Sequence, residues 1–242
     1  PFLSNCLLAE PDLLRRLMED GAEVTLHWIY DALNESTGVD VTRDAVMAAL
    51  RIAKRRMALL TALCDMGHVW PLMEITRVLS DFAGRAVDIC CQHLLSAAAA
   101  KGDITLPFPD EPTKDSGLIV IGMGKLGARE LNYSSDVDLI VFFDPEQSVA
   151  ADPTESVDTF SRIVRRLVRI VGERTADGYV FRTDLRLRPD PGAMPLAIST
   201  DAAMSYYEGS GRNWERAAMI KARIVAGDRT AGDAFLQRLE PL

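Results

Sequence analysis

The chain has 242 residues and a formal net charge of −8, from 27 basic and 35 acidic side chains. This length is enough to bury a full hydrophobic core, as one domain or as two small ones. An acidic chain binds nucleic acid poorly, so we expect no nucleic-acid partner, and an anionic ligand needs a local basic pocket. No apolar run reaches membrane-spanning length, so we expect no membrane partner either.

The cysteine pattern favours a reducing compartment. The four cysteines show no C-x-x-C spacing, and the adjacent pair Cys90 and Cys91 is poorly placed for a disulfide. The first residues lack the basic segment and the long apolar run of a signal peptide. We therefore predict a cytoplasmic protein. The absence of an initiator methionine and the end at Leu242 predict a fragment of a longer chain.

Residues 1–112 are predicted to form an all-helical region. Helical spacing of apolar residues predicts a short helix over 12–20 and a long helix capped by Thr42 or Asp44. Another helix is predicted over 72–100. Four cations crowd one part of the long helix, and we interpret them as a solvated face rather than a binding patch: Arg51, Lys54, Arg55 and Arg56.

The segment 101–116 is the predicted domain boundary. It contains three prolines and mixed charge, a composition that favours an extended connector over a helix. Residues 113–242 are accordingly predicted to form a second, α/β portion of the chain.

The stretch 117–144 contains the strongest functional signal. Two apolar runs of buried-strand type, 118–121 and 139–143, enclose a polar segment. Asp136 and Asp138 stand at the start of the second run, and because strand residues alternate, they point to the same side. Two adjacent carboxylates repel each other unless a cation lies between them. The pattern therefore predicts a Mg²⁺ site, with Mn²⁺ as the alternative ion.

The residues between the two runs are suited to phosphate. Ser134 and Ser135 precede the carboxylates, and serine hydroxyls and loop amides hold phosphate oxygens in phosphoryl-transfer sites. A surface turn rich in Ser and Asp is the simplest alternative. A dinucleotide site is another, because Gly122, Gly124 and Gly127 follow a strand and Asp144 stands where a ribose ligand would be.

A third strand is predicted over 179–189. Alternation would place Asp184 and several cations on one face, and beside the second strand Asp184 becomes a third carboxylate. It would serve as a base or bridging ligand, and Arg186 and Arg188 would meet phosphate charge. An edge strand with alternating surface charge is the alternative.

The last part of the chain is predicted to hold a short strand over 196–198, a helix starting at Ser199 or Thr200, and a final helix over 214–225 capped by Asn213. On that final helix, Trp214 would share a face with Lys221, and Arg216 would share one with Arg223. The excess of cations from the third strand onward predicts the basic pocket that an anionic substrate needs.

Three ordered motifs resemble a known family. They read G-M-G-K-L-G-A-R-E-L-N-Y-S-S-D-V-D-L-I-V-F, then D-L-R-L-R-P, then G-R-N-W-E-R-A-A-M-I-K-A-R. They are similar to the bifunctional glutamine synthetase adenylyltransferase/adenylyl-removing enzymes of bacteria. The resemblance implies an α+β fold of the nucleotidyltransferase (polymerase beta-like) type, a small mixed sheet with flanking helices. The W-E-R and M-I-K-A-R segments resemble the N-terminal, adenylyl-removing half.

The resemblance also implies a reaction and its site. Phosphate would attack adenylyl-tyrosine of glutamine synthetase and release ADP, under the control of a PII-type nitrogen signalling protein. Catalytic and metal-ligand roles fall to Asp136, Asp138 and Asp184. The predicted nucleotide- and phosphate-binding residues are Gly122, Gly124, Lys125, Ser134, Ser135, Arg186, Arg188, Glu215, Lys221 and Arg223. The alternatives are ATP-dependent adenylylation and a non-catalytic nucleotide-binding module.

Overall fold

A computed structural model describes residues 2–38 and 41–240. The first part of the chain is helical, as predicted. Thr42, rather than Asp44, caps the long helix, because its hydroxyl accepts a hydrogen bond from the backbone N–H of Ala45 at 3.4 Å. The helices of this part are α1 (Phe2–Ala9), α2 (Pro11–Asp20), α3 (Ala22–Glu35), α4 (Arg43–Met66) and α5 (Leu72–Ala99).

A small mixed sheet and further helices follow, which confirms the predicted α+β class. The strands are β1 (Leu118–Gly122), β2 (Val137–Phe143), β3 (Thr183–Asp184), β4 (Ala197–Ser199) and β5 (Arg223–Gly227). The helices are α6 (Gly124–Gly127), α7 (Ser156–Gly172), α8 (Thr200–Gly209), α9 (Asn213–Met219) and α10 (Arg229–Leu239), with a 3₁₀ turn at Pro153–Glu155.

The sheet has the order β3-β2-β1-β5, with β4 also paired to β2. β1 runs antiparallel to both β2 and β5, whereas β2 is parallel to β3 and β4. The antiparallel pairing of β1 and β2 rules out the dinucleotide alternative, because that fingerprint needs parallel strands joined by a crossover helix. The glycine spacing therefore has another cause in this fold.

The predicted third strand over 179–189 is too long. Only Thr183–Asp184 pairs with β2, and the alternation fails upstream because consecutive Val180 and Phe181 are both buried. Both of their backbone N–H groups donate to the carbonyl of Val171, at 3.0 and 3.2 Å, so this segment follows the end of α7. After Asp184 the chain turns away from β2.

The predicted helix over 214–225 is also wrong in its second half. α9 ends at Met219, and Arg223–Gly227 forms β5 against β1, with Ile224 opposite Ile121. The β-branched pair Ile224 and Val225 fits the buried centre of a sheet better than a helix. The cap is Arg212 rather than Asn213.

The interpretation of the α4 cations as a solvated face is wrong. The side chain of Arg51 is 1% exposed and donates hydrogen bonds to four backbone carbonyls, and the other three cations are half-buried. Residues 101–116 form no helix, as predicted, but they fold mostly into turns rather than into an extended connector. The predicted division at residue 112 stays a prediction, and one apolar cluster includes residues from both sides of it.

None of the described helices combines the length and apolar character that crossing a bilayer requires.

Candidate functional site

Three carboxylates lie together at one end of the sheet. The parallel pairing of β2 with β3 sets Asp138 directly opposite Asp184, and Asp136 stands just before β2. Burial, followed by the charges of Asp184 and Asp136, raises the pKa of Asp138 above its ordinary value. The repulsion that was expected between neighbouring carboxylates is therefore present in the folded chain.

Each outer carboxylate is paired with an arginine. Arg182 Nε donates to Asp136 Oδ1 at 2.5 Å, and Arg182 Nη2 donates to the carbonyl of Ser134 at 2.9 Å. Arg186 donates to Asp184 Oδ2 through Nε at 2.9 Å and Nη2 at 2.5 Å. These hydrogen bonds lower the pKa of Asp184, so the two facing carboxyls are shifted in opposite directions. Asp138 is thus the central carboxylate without an arginine of its own within the described residues.

Gly124 allows the turn after β1 to lie against Asp138, the central carboxylate. Its φ is +53°, a conformation that favours glycine, and an added Cβ would lie 3.0 Å from Asp138 Oδ2. The backbone N–H of Met123 also donates to the carbonyl of Asp138 at 2.9 Å. Gly122 is needed for packing instead, because a Cβ there would lie 2.7 Å from Val225 Cγ1.

The carboxylates have the right donor chemistry for a hard divalent cation. Oxygen ligands of this kind are what Mg²⁺ takes in proteins. Among residues 2–38 and 41–240, however, no three Asp, Glu, His or Cys side chains converge closely enough to hold an ion. Since Asp136 and Asp184 face their arginines, metal binding by all three requires Arg182 and Arg186 to turn away.

Three of the other predicted cations hold backbone or carboxylate groups. Arg223 donates to the carbonyls of Leu126 and Gly127 at 2.9 and 3.1 Å, and Lys221 pairs with Glu130 at 2.9 Å. Arg188 donates to three carbonyls of the turn after β3, those of Leu185, Pro191 and Pro195. The arginines at 188 and 223 thereby shape the loops beside the site.

Glu215, Lys125 and the serines stand in different surroundings. Glu215 is 4% exposed and accepts hydrogen bonds from the Tyr206 hydroxyl and the backbone N–H of Arg212, so it stabilises the start of α9. The positive charge of Lys125 acts to lower the pKa of Asp138, against the larger effects that raise it. Ser135 Oγ donates to Asn132 Oδ1 at 2.7 Å, which closes the turn before β2.

The chain also matches a known protein family over nearly its whole length. A family model described as glutamate-ammonia ligase adenylyltransferase matches residues 1–238. The chain belongs to the glutamate-ammonia ligase adenylyltransferase family.

Curated relatives that share one name match most or all of the chain. A bifunctional glutamine synthetase adenylyltransferase/adenylyl-removing enzyme of Brucella suis biovar 1 (strain 1330) is 51% identical over 242 residues, which is 100% of this chain and 25% of the relative. Those of Agrobacterium fabrum (strain C58) and Rhodopseudomonas palustris (strain TIE-1) are 56% and 48% identical, over 82% and 100% of this chain and 20% and 24% of theirs. The chain thus spans about a quarter of the length of these relatives.

This member of the glutamate-ammonia ligase adenylyltransferase family also has a cavity that sequence reasoning missed. It measures about 230 Å³ and lies between α4, the turn at 133–135 and the segment 174–182. We name it the basic cavity, after its lining by Arg51, Lys54, Arg55, Tyr133, Ser134, Ser135, Arg174, Asp177, Gly178, Tyr179, Val180, Phe181 and Arg182. The only signal for it in the sequence was the cluster of cations on α4, which has the same appearance as a solvated face.

Proposed function

We propose that this chain removes AMP from an adenylylated tyrosine of glutamine synthetase by phosphorolysis. The observation that carries the proposal is the trio of carboxylates, with Asp138 opposite Asp184 on paired strands and Asp136 beside them. Membership of the family supports the substrate class, because the relatives are named for both adding and removing the adenylyl group. A PII-type signalling protein as regulator is part of the same proposal.

The reaction balances without an oxidant or reductant. An oxygen of hydrogen phosphate attacks the phosphorus of the adenylyl-tyrosine diester, and a new P–O–P bond forms as the bond to the tyrosine oxygen breaks. The proton of hydrogen phosphate goes to the tyrosine oxygen, and ADP leaves. Two anions must meet in this step, so the site has to supply positive charge.

The site can supply that positive charge from a metal ion and from two arginines. Mg²⁺ or Mn²⁺ held by Asp136, Asp138 and Asp184 would neutralise charge on the transferred phosphoryl group. Arg182 and Arg186 already neutralise the outer carboxylates, and on release from them each guanidinium can meet a phosphate oxygen. Gly124 lets the backbone after β1 lie directly against Asp138, because a Cβ at this position would stand 3.0 Å from Asp138 Oδ2.

The removing direction is favoured by the residues around α9. Trp214, Glu215 and Arg216, followed by the M-I-K-A-R segment at 219–223, resemble the removing half of the family. Arg182 and Arg186, which stand at the carboxylates, support a site for two anionic reactants. ATP-dependent adenylylation is the second candidate, because the relatives are named for both activities.

The direction can be measured on glutamine synthetase itself. The chain is incubated with adenylylated enzyme, Mg²⁺ and phosphate, and in parallel with unmodified enzyme, Mg²⁺ and ATP. We expect intact-mass spectrometry to show loss of one AMP per subunit in the first mixture and no change in the second. A gain of AMP in the second mixture alone would identify the adenylylating half. No change in either would leave a nucleotide-binding module without turnover.

A further inference from the structure

The basic cavity joins the helical part of the chain to the carboxylate site. Its wall on one side is α4, and its opposite wall is formed by the residues directly before Asp136 and by the segment that leads into β3. Arg182 belongs to both places, because it lines the cavity and donates to Asp136 at 2.5 Å. A molecule in the cavity therefore lies next to the proposed reaction centre.

Most cations of the basic cavity already have partners. Arg51 is surrounded by carbonyl acceptors, including that of Gly178 at 2.9 Å. Arg55 pairs with Glu10 at 2.7 Å and lies 3.6 Å from Asp177. These contacts build the wall of the cavity and leave those guanidiniums little capacity for a ligand.

Lys54 differs from these arginines. Its ammonium lies 4.2 Å from the centre of the Phe181 ring, and within the described part of the chain it has neither a hydrogen-bond acceptor nor a carboxylate partner. Burial lowers the pKa of Lys54 to about 8. A half-buried ammonium without a counter-ion is stabilised by an anion placed beside it.

Two further groups can contribute to anion binding. The hydroxyl of Ser134 makes no hydrogen bond to another described residue, and it lines the cavity two residues before Asp136. The Arg174 guanidinium lies 5.8 Å from the centre of the Tyr179 ring and pairs with no carboxylate among residues 2–38 and 41–240. An ammonium, a guanidinium and a hydroxyl suit a tetrahedral oxyanion.

We propose that the basic cavity binds the incoming inorganic phosphate, with Lys54 as its main cation and the Ser134 hydroxyl as a donor, and holds it beside Asp136. That the anion is phosphate rests on the proposed phosphorolysis. That the cavity binds an anion rests only on the cations that line it. This places the attacking phosphate between the helical region and the sheet. The adenylyl group would then approach from the side of Asp138 and Gly124.

The test compares two variants of one residue. Lys54→Met removes the charge and keeps a side chain of similar length, and Lys54→Arg keeps the charge. Lys101→Met is the matched control, because Lys101 is an exposed lysine that does not line this cavity. Calorimetric titration of the chain with inorganic phosphate, and separately with AMP, gives the two affinities. We expect Lys54→Met to weaken phosphate binding about tenfold or more and to change AMP binding little.

The pH dependence adds a readout that a purely structural role would not change. As the pH rises from 7 to 9, Lys54 loses its proton near pH 8, so the wild-type affinity for phosphate should fall relative to that of Lys54→Arg, whose charge persists. Phosphate itself also loses a proton in this range, and it does so equally in both titrations. Arginine and aspartate side chains keep their charge in this range, and tyrosines ionise near pH 10. Burial raises the pKa of Tyr133 further. The other charged or titratable groups facing Lys54 are Arg51, Arg55, Asp65, Tyr133, Arg174, Asp177, Tyr179 and Arg182.

The outcomes separate this inference from the proposed function. Unchanged phosphate affinity in Lys54→Met overturns the inference even if the wild-type chain forms ADP. Weaker binding of AMP alone overturns it too, because the cavity then holds the phosphoryl group of the nucleotide. Weaker phosphate binding in Lys54→Met supports the site, and a wild-type chain that binds phosphate but forms no ADP contradicts only the proposed reaction.

Discussion

Asp138→Asn is expected to lower the rate of AMP removal by at least about 10²–10³-fold, because it removes the central charge of the carboxylate trio. Stability should not fall with it. Burial and two neighbouring carboxylates raise the pKa of Asp138 in the folded chain. At pH values above the pKa of this group in the unfolded chain, its ionised form therefore lowers the stability of the fold. At pH 7 the neutral amide removes that cost. The measurement is the initial rate of AMP release, with the free energy of unfolding from urea titration alongside.

Asp144→Asn is the matched control for Asp138→Asn. Asp144 follows the opposite end of the same strand, where its side chain accepts a hydrogen bond from the backbone N–H of Glu146 at 2.9 Å. The rate of AMP release by Asp144→Asn should stay close to that of the wild type. A fully active Asp138→Asn chain with Mg²⁺ present would remove the basis for placing the reaction at this site.

Arg51→Met is expected to lower the free energy of unfolding by about 3–5 kcal/mol. The buried guanidinium donates to the carbonyls of Met47, Ile170 and Gly178 at 2.8, 3.1 and 2.9 Å, and also to that of Glu173. Two of these acceptors belong to the end of α7, where a cation is favourable. Methionine fills the volume but makes none of these four hydrogen bonds, although the Gly178 carbonyl keeps the bond from the backbone N–H of Thr175 at 2.9 Å.

Arg43→Met is the control for Arg51→Met. It removes another arginine of α4, whose ion pair with Glu173 at 3.1 Å is exposed on both sides, and such pairs contribute about 0–1 kcal/mol. Urea unfolding followed by circular dichroism gives both values. Equal losses in the two variants would show that Arg51 is no more than a surface cation. The result also bears on function, because Arg51 holds Gly178, from which the chain runs to Arg182 and Asp184.

The elements with strong local signals could be predicted from the sequence. The apolar spacing of α4 and α5 is long and regular, and the cap at Thr42 is a local contact. The apolar run of β2 is an equally local signal, since nearly the whole strand is buried. The shared orientation of Asp136 and Asp138 stays a prediction.

The errors lie where distant contacts decide the outcome. Residues 223–227 have a spacing that also fits a helix, and they form a strand because β1, about a hundred residues earlier, offers a free edge. Arg51 belongs to a cluster of similar cations, and only the position of α7 selects it for burial. Lys54 acquires its cavity in the same way, from the ring of Phe181 and the turn before β2.

Phosphorolysis requires that phosphate, rather than water, attacks the adenylyl group. The most direct measurement is to mix the chain with adenylylated glutamine synthetase, Mg²⁺ and ³²P-labelled phosphate, and to separate the nucleotides formed. We predict label in ADP, in proportion to the AMP lost from glutamine synthetase. Unlabelled AMP as the product would mean hydrolysis and would contradict the claim.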